Sequence, residues 1–151
     1  MIRGMEPDHL VCSRRLEFDA APRVLRHESK CAHLHGHRYV VEIVCKAPTL
    51  DAVGRVVDFG AVKDRVGTWI DEKWDHGTIV NREDDELLAW CVRNGQKRMV
   101  LDGEPTAENI ARVILLYASR EFDDDRGGLF VLAVRVWETP NCWAEARRNE
   151  P

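Results

Sequence analysis

At 151 residues the chain has room for one domain with a substantial core and is too short to expect two, so a single domain over 1–151 is the working assignment. Hydrophobic residues make up 44% and charged residues 32%, and 22 Lys+Arg against 26 Asp+Glu leave a net charge of -4. That balance argues against a general nucleic-acid surface, while leaving room for a local basic pocket that holds a phosphorylated metabolite.

The opening MIRGMEPDHLVCSRR is charged throughout and lacks the apolar centre of a signal peptide. No later stretch approaches the roughly 18 apolar residues of a membrane span, so a cytoplasmic protein with no membrane partner is expected. Five cysteines, odd in number, far apart and without a CxxC pair, read as free thiols of a reducing compartment. Cys12 and Cys45 fall in apolar-periodic segments and Cys91 in an expected helix, and all three read as small buried hydrophobes.

From His9 to Ala21 the apolar residues Leu10, Cys12, Leu16, Phe18 and Ala20 recur with a period of two, broken by Arg14, which predicts a half-buried strand. From His35 to Lys46 the alternation is cleaner, with Tyr39, Val41, Ile43 and Cys45 on one side. The two read as antiparallel strands joined by a polar excursion, PRVLRHESK. After the turn-rich TLDAVGR, Val62, Val66, Trp69 and Ile70 mark one face of a helix that Asp58 is placed to cap.

Residues 77 to 104 read as a long connector, with a short helix over DDELLAWCVRN and a short strand at KRMVL. EPTAEN announces a second long helix: Thr106 caps, Glu108 sits in the first turn, and Ile110, Val113, Ile114 and Tyr117 share a face. The β-branched and aromatic run GLFVLAVRVWETPN predicts a final strand. Together these imply α+β architecture with helices on one face of an antiparallel sheet. The other sheet face then needs a cover, which association of copies would supply.

The stretch CAHLHGH at 31–37 holds half of the six histidines beside a thiol. Alternation along a strand puts His35 and His37 on one side, close enough for both rings to converge on a cation, and Gly36 between them permits close approach of a ligand or backbone. Zinc suits such neutral imidazoles, and a catalytic zinc takes three protein ligands plus an exchangeable position. Two histidines bonded to backbone are the plainer alternative. Cys31, four residues before His35, adds a thiol and with it acid–base chemistry on a bound substrate.

Here the sequence resembles the 6-pyruvoyl- and 6-carboxy-tetrahydropterin synthases. The shared signatures are FDAA at 18–21, CxxxHGH at 31–37, VVDFGxVK at 56–63, WDH at 74–76, PTAEN at 105–109 and WET at 137–139. The three-residue spacing between Cys31 and HGH is similar to the bacterial 6-carboxy branch, which serves queuosine and deazapurine synthesis. The resemblance implies the tunnelling fold, a four-stranded antiparallel sheet with two helices on one face, oligomerising into a barrel as a homo-hexamer of two stacked trimers with pockets between subunits. It implies Cys31 as general base, activated by the Asp75–His76 pair. A thiol titrates near pH ~8.5 unperturbed, and a nearby imidazolium holds it as thiolate near neutrality.

The resemblance also makes Glu138 the pterin anchor, since one carboxylate accepts two parallel hydrogen bonds from the pterin edge. A structural salt bridge is the alternative for Glu138, helix capping for Thr106 and Glu108, and a polar helix terminus for Asp75 and His76. The implied substrate is 7,8-dihydroneopterin triphosphate, cleaved to triphosphate, acetaldehyde and 6-carboxy-5,6,7,8-tetrahydropterin. Arg23, Arg26, Arg38 and Lys63 are available to meet the triphosphate.

The departure is Pro22. The family carries its first zinc-ligand histidine there, and proline offers a metal no side-chain donor. His33 or His27 could substitute, zinc could bind weakly through His35 and His37, or no zinc need bind. An enzyme of the 6-carboxy-tetrahydropterin synthase type, a pterin-binding or structural oligomer without turnover, and a metal-free dihydropterin aldolase all stay open.

Overall fold

The computed structural model describes residues 10–123 and 127–149. The first residue of the expected opening strand, His9, lies outside them. Strand β1 (Leu10–Pro22) pairs antiparallel with β2 (His37–Ala47) in a register that sets Cys12 against Cys45, Leu16 against Val41 and Phe18 against Tyr39. Arg14 does not interrupt the strand. The even residues of β1 and the odd residues of β2 turn toward the helices, where Phe18 and Tyr39 stack with ring centroids 4.9 Å apart.

The first long helix, α1, covers 59–73 as an α segment Phe59–Val62, a wider π turn Lys63–Gly67 and a second α segment Thr68–Lys73. Asp58 caps it by accepting the Gly60 N–H at 2.8 Å. Strand β3 (Gly77–Asn81), helix α2 (Asp85–Arg93) and strand β4 (Arg98–Leu101) follow, then helix α3 (Ala107–Phe122), capped by Thr106. Val62, Val66 and Ile70 of α1 and Ile110, Ile114 and Ala118 of α3 are buried in one core over the sheet. Trp69 and Tyr117 stack between the two helices at 3.9 Å. No helix of the described residues is long and apolar enough to cross a membrane.

Strands β5 (Phe130–Thr139) and β6 (Cys142–Arg147) form a closing hairpin. The sheet therefore has six strands in the order β4-β3-β1-β2-β5-β6, not four, and it is mixed, because β3 runs parallel to β1 and β4 parallel to β3. The expected connector conceals β3 because all five of its residues are buried, which removes the alternation that reveals a one-sided strand. Ile79 joins the main core, while Val80 packs with Leu87 and Cys91 under α2, so a third helix covers the opposite face at that edge.

Elsewhere the face away from α1 and α3 is mixed: a small apolar cluster of Val44, Phe130, Leu132 and Ala133 lies at one end, and polar pairs cover the rest. Glu42 accepts from Ser13 at 2.6 Å and Arg135 at 3.4 Å, and Arg135 also donates to Glu145 at 2.5 Å. Arg38 donates to Asp19 at 2.8 Å and Glu17 at 3.1 Å, and the Arg15 guanidinium lies over Trp137. Of the cysteines expected to be buried, Cys45 and Cys91 are, while Cys12 is half-buried. Burial pushes the Cys45 thiol up to about 12, which makes it inert near neutrality.

Candidate active site

The β1–β2 ladder does not end where the strands do. Beyond the Ala20–His37 pair, the His35 N–H donates to the Pro22 carbonyl at 3.2 Å, so position 22 stands beside His35. Between them the chain leaves as a loop and makes one 3-10 turn, Lys30–Ala32, which carries Cys31. The loop closes on itself through the Val24 N–H, which donates to the Cys31 carbonyl at 3.0 Å. Its far side is fastened by carboxylates. Glu104, just ahead of α3, accepts the backbone N–H groups of Leu25 at 2.8 Å and Arg26 at 3.1 Å, and Asp84 accepts Arg23 Nε at 2.7 Å.

This loop, the start of α3 and the β5–β6 hairpin enclose a cavity of about 220 Å³. Cys31, His27 and His35 line it from the loop, Thr106 and Glu108 from α3, and Glu138 from β5, with Pro22 at the edge. Sequence reasoning missed Cys142 and Trp143, which line it from β6. Their signal was the Pro140–Asn141 turn directly after WET, which returns the chain as another strand. Thr106 also accepts the Asn109 N–H at 3.4 Å, so capping and pocket lining coexist in one residue.

Each imidazole is fixed differently. His35 Nδ1 lies 2.7 Å from the His33 carbonyl, so Nδ1 carries a proton, and in the neutral tautomer that this selects, Nε2 holds the lone pair. The His35 and His37 rings meet edge to face, centroids 4.9 Å apart. Burial holds His37 below the ordinary histidine value, against the Glu138 charge and a hydrogen bond to the Glu138 backbone, with His35 adding to the depression. Gly36 is not required for space: a side chain there would meet Ala20 O at an ordinary 3.7 Å. Behind the site, burial and the charges of Glu138 and Cys31 push the Tyr39 phenol well above its usual value, keeping it protonated.

His37 lines a second cavity of about 470 Å³, together with Asp19, Arg38 and His76. Asp75 and His76 form a dyad there, Nδ1 of the ring 2.6 Å from the carboxylate, and the His76 side chain is 78% exposed. His76 holds φ at 57°, the one positive value at a non-glycine among the described residues. Cys31 and His76 thus line different cavities of one chain.

The zinc set implied by the resemblance does not fit these residues. Among the described residues no three His, Cys, Asp or Glu side chains come together in a way that could hold a metal. Pro22 supplies no donor, and His33 is exposed and lines neither cavity. His27 does line the first cavity, but its Nδ1 accepts the Ser29 N–H. Two imidazoles remain where a catalytic zinc needs three ligands.

Three of the four cations suggested for a triphosphate are paired elsewhere. Arg23 is paired with Asp84 and Glu86, Arg26 with Glu83 and Glu104, and Arg38 with Glu17 and Asp19. Lys63 lies on α1, and none of the four lines the first cavity.

Comparison with known proteins shows the family. The sequence model described as 6-pyruvoyl tetrahydropterin synthase matches residues 11–149. The chain belongs to that family. It is 42% identical over 143 residues to the 6-carboxy-5,6,7,8-tetrahydropterin synthase of Rickettsia conorii, covering 89% of this chain and 97% of that protein. A protein of the same name from Helicobacter pylori is 32% identical, with 88% of this chain and 70% of that protein covered.

Among solved structures, an uncharacterized protein from Wolinella succinogenes superposes with a TM-score of 0.79 at 22% identity, over 93% of this chain and 99% of that one. The 6-pyruvoyl tetrahydropterin synthase of Plasmodium falciparum superposes with a TM-score of 0.71 at 20% identity, over 93% and 98%. At these identities the likeness shows the fold. Family membership carries the general function, a pterin-processing enzyme of the synthase type.

Proposed function

We propose that this chain is a cytoplasmic lyase that converts 7,8-dihydroneopterin triphosphate and water into 6-carboxy-5,6,7,8-tetrahydropterin, acetaldehyde and triphosphate, in queuosine or deazapurine synthesis. The observation that carries the reading is the single cavity shared by the Cys31 thiol and the Glu138 carboxylate. Glu138 accepts the ring N–H and exocyclic amino group of the pterin edge and so sets the side chain of the substrate against the thiol. Cys31 takes a proton from a side-chain carbon. Thr106 and Glu108 close the wall opposite the loop.

The Asp75–His76 dyad serves the thiol of a neighbouring copy, because on its own chain it is exposed in a different cavity. Asp75 orients the ring through Nδ1 and leaves Nε2 to face a partner's Cys31. A homo-hexamer built as a dimer of trimers supplies such neighbours. No step passes through zinc, since the described residues do not make its ligand set.

A second reading is favoured by one observation. The described lining of the cavity contains no lysine or arginine, which suits aldol cleavage of an unphosphorylated dihydropterin. The test is to incubate the purified protein with each substrate and measure aldehyde and triphosphate. Release of both from the triphosphate, lost in Cys31→Ala, supports the first reading. Aldehyde release from the unphosphorylated substrate alone supports the second. Pterin binding without any product identifies a binding protein and sinks both.

A further inference from the structure

The loop that carries the thiol also carries an imidazole to which no role falls in the chemistry above. His27 lines the same cavity as Cys31 and Glu138, its side chain 32% exposed. Its backbone N–H donates to the Val24 carbonyl at 3.0 Å, and the Ser29 N–H donates to its Nδ1 at 2.9 Å. A backbone N–H can only donate, so Nδ1 presents its lone pair and the single proton of the neutral ring sits on Nε2. The Glu28 carboxylate, 4.0 Å from Nδ1, is exposed and too distant to compete with that contact.

This is the reverse of His35, whose Nδ1 is turned to a carbonyl and must carry the proton. The backbone therefore fixes one imidazole of the cavity as a donor through Nε2 and the other as an acceptor through Nε2. The donor is held firmly: Glu104 accepts the N–H groups of Leu25 and Arg26, the two residues before it, and is only 19% exposed.

Removing a proton from the substrate side chain builds negative charge on the adjacent oxygen, and that charge needs a donor aimed at it. Pro22 withdraws the metal-based solution, and the two carboxylates of the cavity, Glu108 and Glu138, oppose such charge. We propose that His27 is a further catalytic residue, a neutral imidazole whose Nε2–H donates a hydrogen bond to the side-chain oxygen of the bound pterin as Cys31 takes the neighbouring proton. This role rests on the lyase reading.

The experiment compares kcat, KM and pterin affinity for the unsubstituted protein and for His27→Ala, His27→Gln and His27→Asn. Glutamine places an N–H donor near the position of Nε2, whereas the shorter asparagine places it near Nδ1. Loss of a donor to developing charge predicts a kcat about 100-fold lower in His27→Ala with pterin affinity nearly unchanged. His27→Gln recovers about tenfold of that and His27→Asn recovers nothing.

A loss confined to KM and binding, equal rescue by asparagine, or a kcat in His27→Ala within about threefold of the parent overturns the role. Failure of the lyase reading looks different. Then the unsubstituted protein turns over neither substrate, and the role of His27 falls with it.

Discussion

Asp75 holds His76 from behind: one carboxylate oxygen lies 2.6 Å from Nδ1 of the ring, and the other accepts the Asp19 N–H at 2.9 Å. The carboxylate is anchored to the strand that ends at Pro22, and the ring is presented outward at a strained backbone position. Burial raises the cost of the Asp75 charge, yet these two partners and Lys97 hold its pKa below the ordinary value, so the carboxylate stays ionised at neutral pH.

If that dyad serves another copy, two inactive variants should repair each other. Cys31→Ala and His76→Ala are each expected to lose nearly all turnover alone. Co-expressed in one assembly, about a quarter of the sites combine an intact thiol with an intact dyad from the neighbour, so about a quarter of the parent activity returns. The measurement is turnover of purified mixed oligomers carrying two different affinity tags. No recovery in verified mixed oligomers would mean that thiol and dyad act within one chain.

Pro22 gives a test by gain rather than loss. The His35 N–H to Pro22 carbonyl bond places position 22 beside an imidazole whose Nε2 is free, and His37 stands next to it. Proline contributes no backbone donor there, so replacing it removes no hydrogen bond. Pro22→His is expected to complete a three-imidazole set and to bind one zinc per chain at least about tenfold more tightly than the parent. Competition against a chromophoric chelator reads the affinity, and zinc affinity equal to the parent's would show that position 22 does not face the pair.

The outline of this molecule was legible where one face of an element is wet. Alternation gave β1 and β2, and apolar stripes gave α1 and α3, because each buries one side only. Strand β3 was hidden because α2 covers its second face, and parallel pairing to β1 leaves no mark on local sequence. Cys31, His35 and Glu138 were legible as letters because their chemistry is unusual at that spacing. That His37 and His76 share a cavity apart from Cys31 was not, since it depends on which end of a strand ladder each residue reaches.

Glu138 separates recognition from folding within one residue. Its carboxylate lines the cavity while its backbone carries the hydrogen bond to the His37 ring. Glu138→Gln leaves the backbone contact in place and turns one acceptor into an N–H that faces the donors of the pterin edge. Pterin affinity should fall about 30- to 100-fold, some 2–3 kcal/mol, with the melting temperature nearly unchanged. Fluorescence titration with a dihydropterin and a thermal melt supply both readings, and unchanged affinity would remove Glu138 from the pterin edge.

The Arg23–Asp84 pair should reveal itself through pH. Asp84 is 1% exposed and Arg23 18%, the carboxylate accepts from Arg23 Nε and from the Leu87 N–H at the start of α2, and the guanidinium directly follows Pro22. The Arg23 hydrogen bond, acting against burial, holds the Asp84 carboxyl below its ordinary 3.8. A depressed carboxylate stabilises the fold fully above the unfolded value and loses that contribution as the pH falls through the folded one. Asp84→Asn should therefore cost about 2–3 kcal/mol at neutral pH, and the difference from the parent should close as the pH is lowered from 3.8 through the folded value. Thermal melts of parent and variant across that range test it. A gap that persists in full at the acid end would mean that the residue contributes through shape and capping alone, not through its charge.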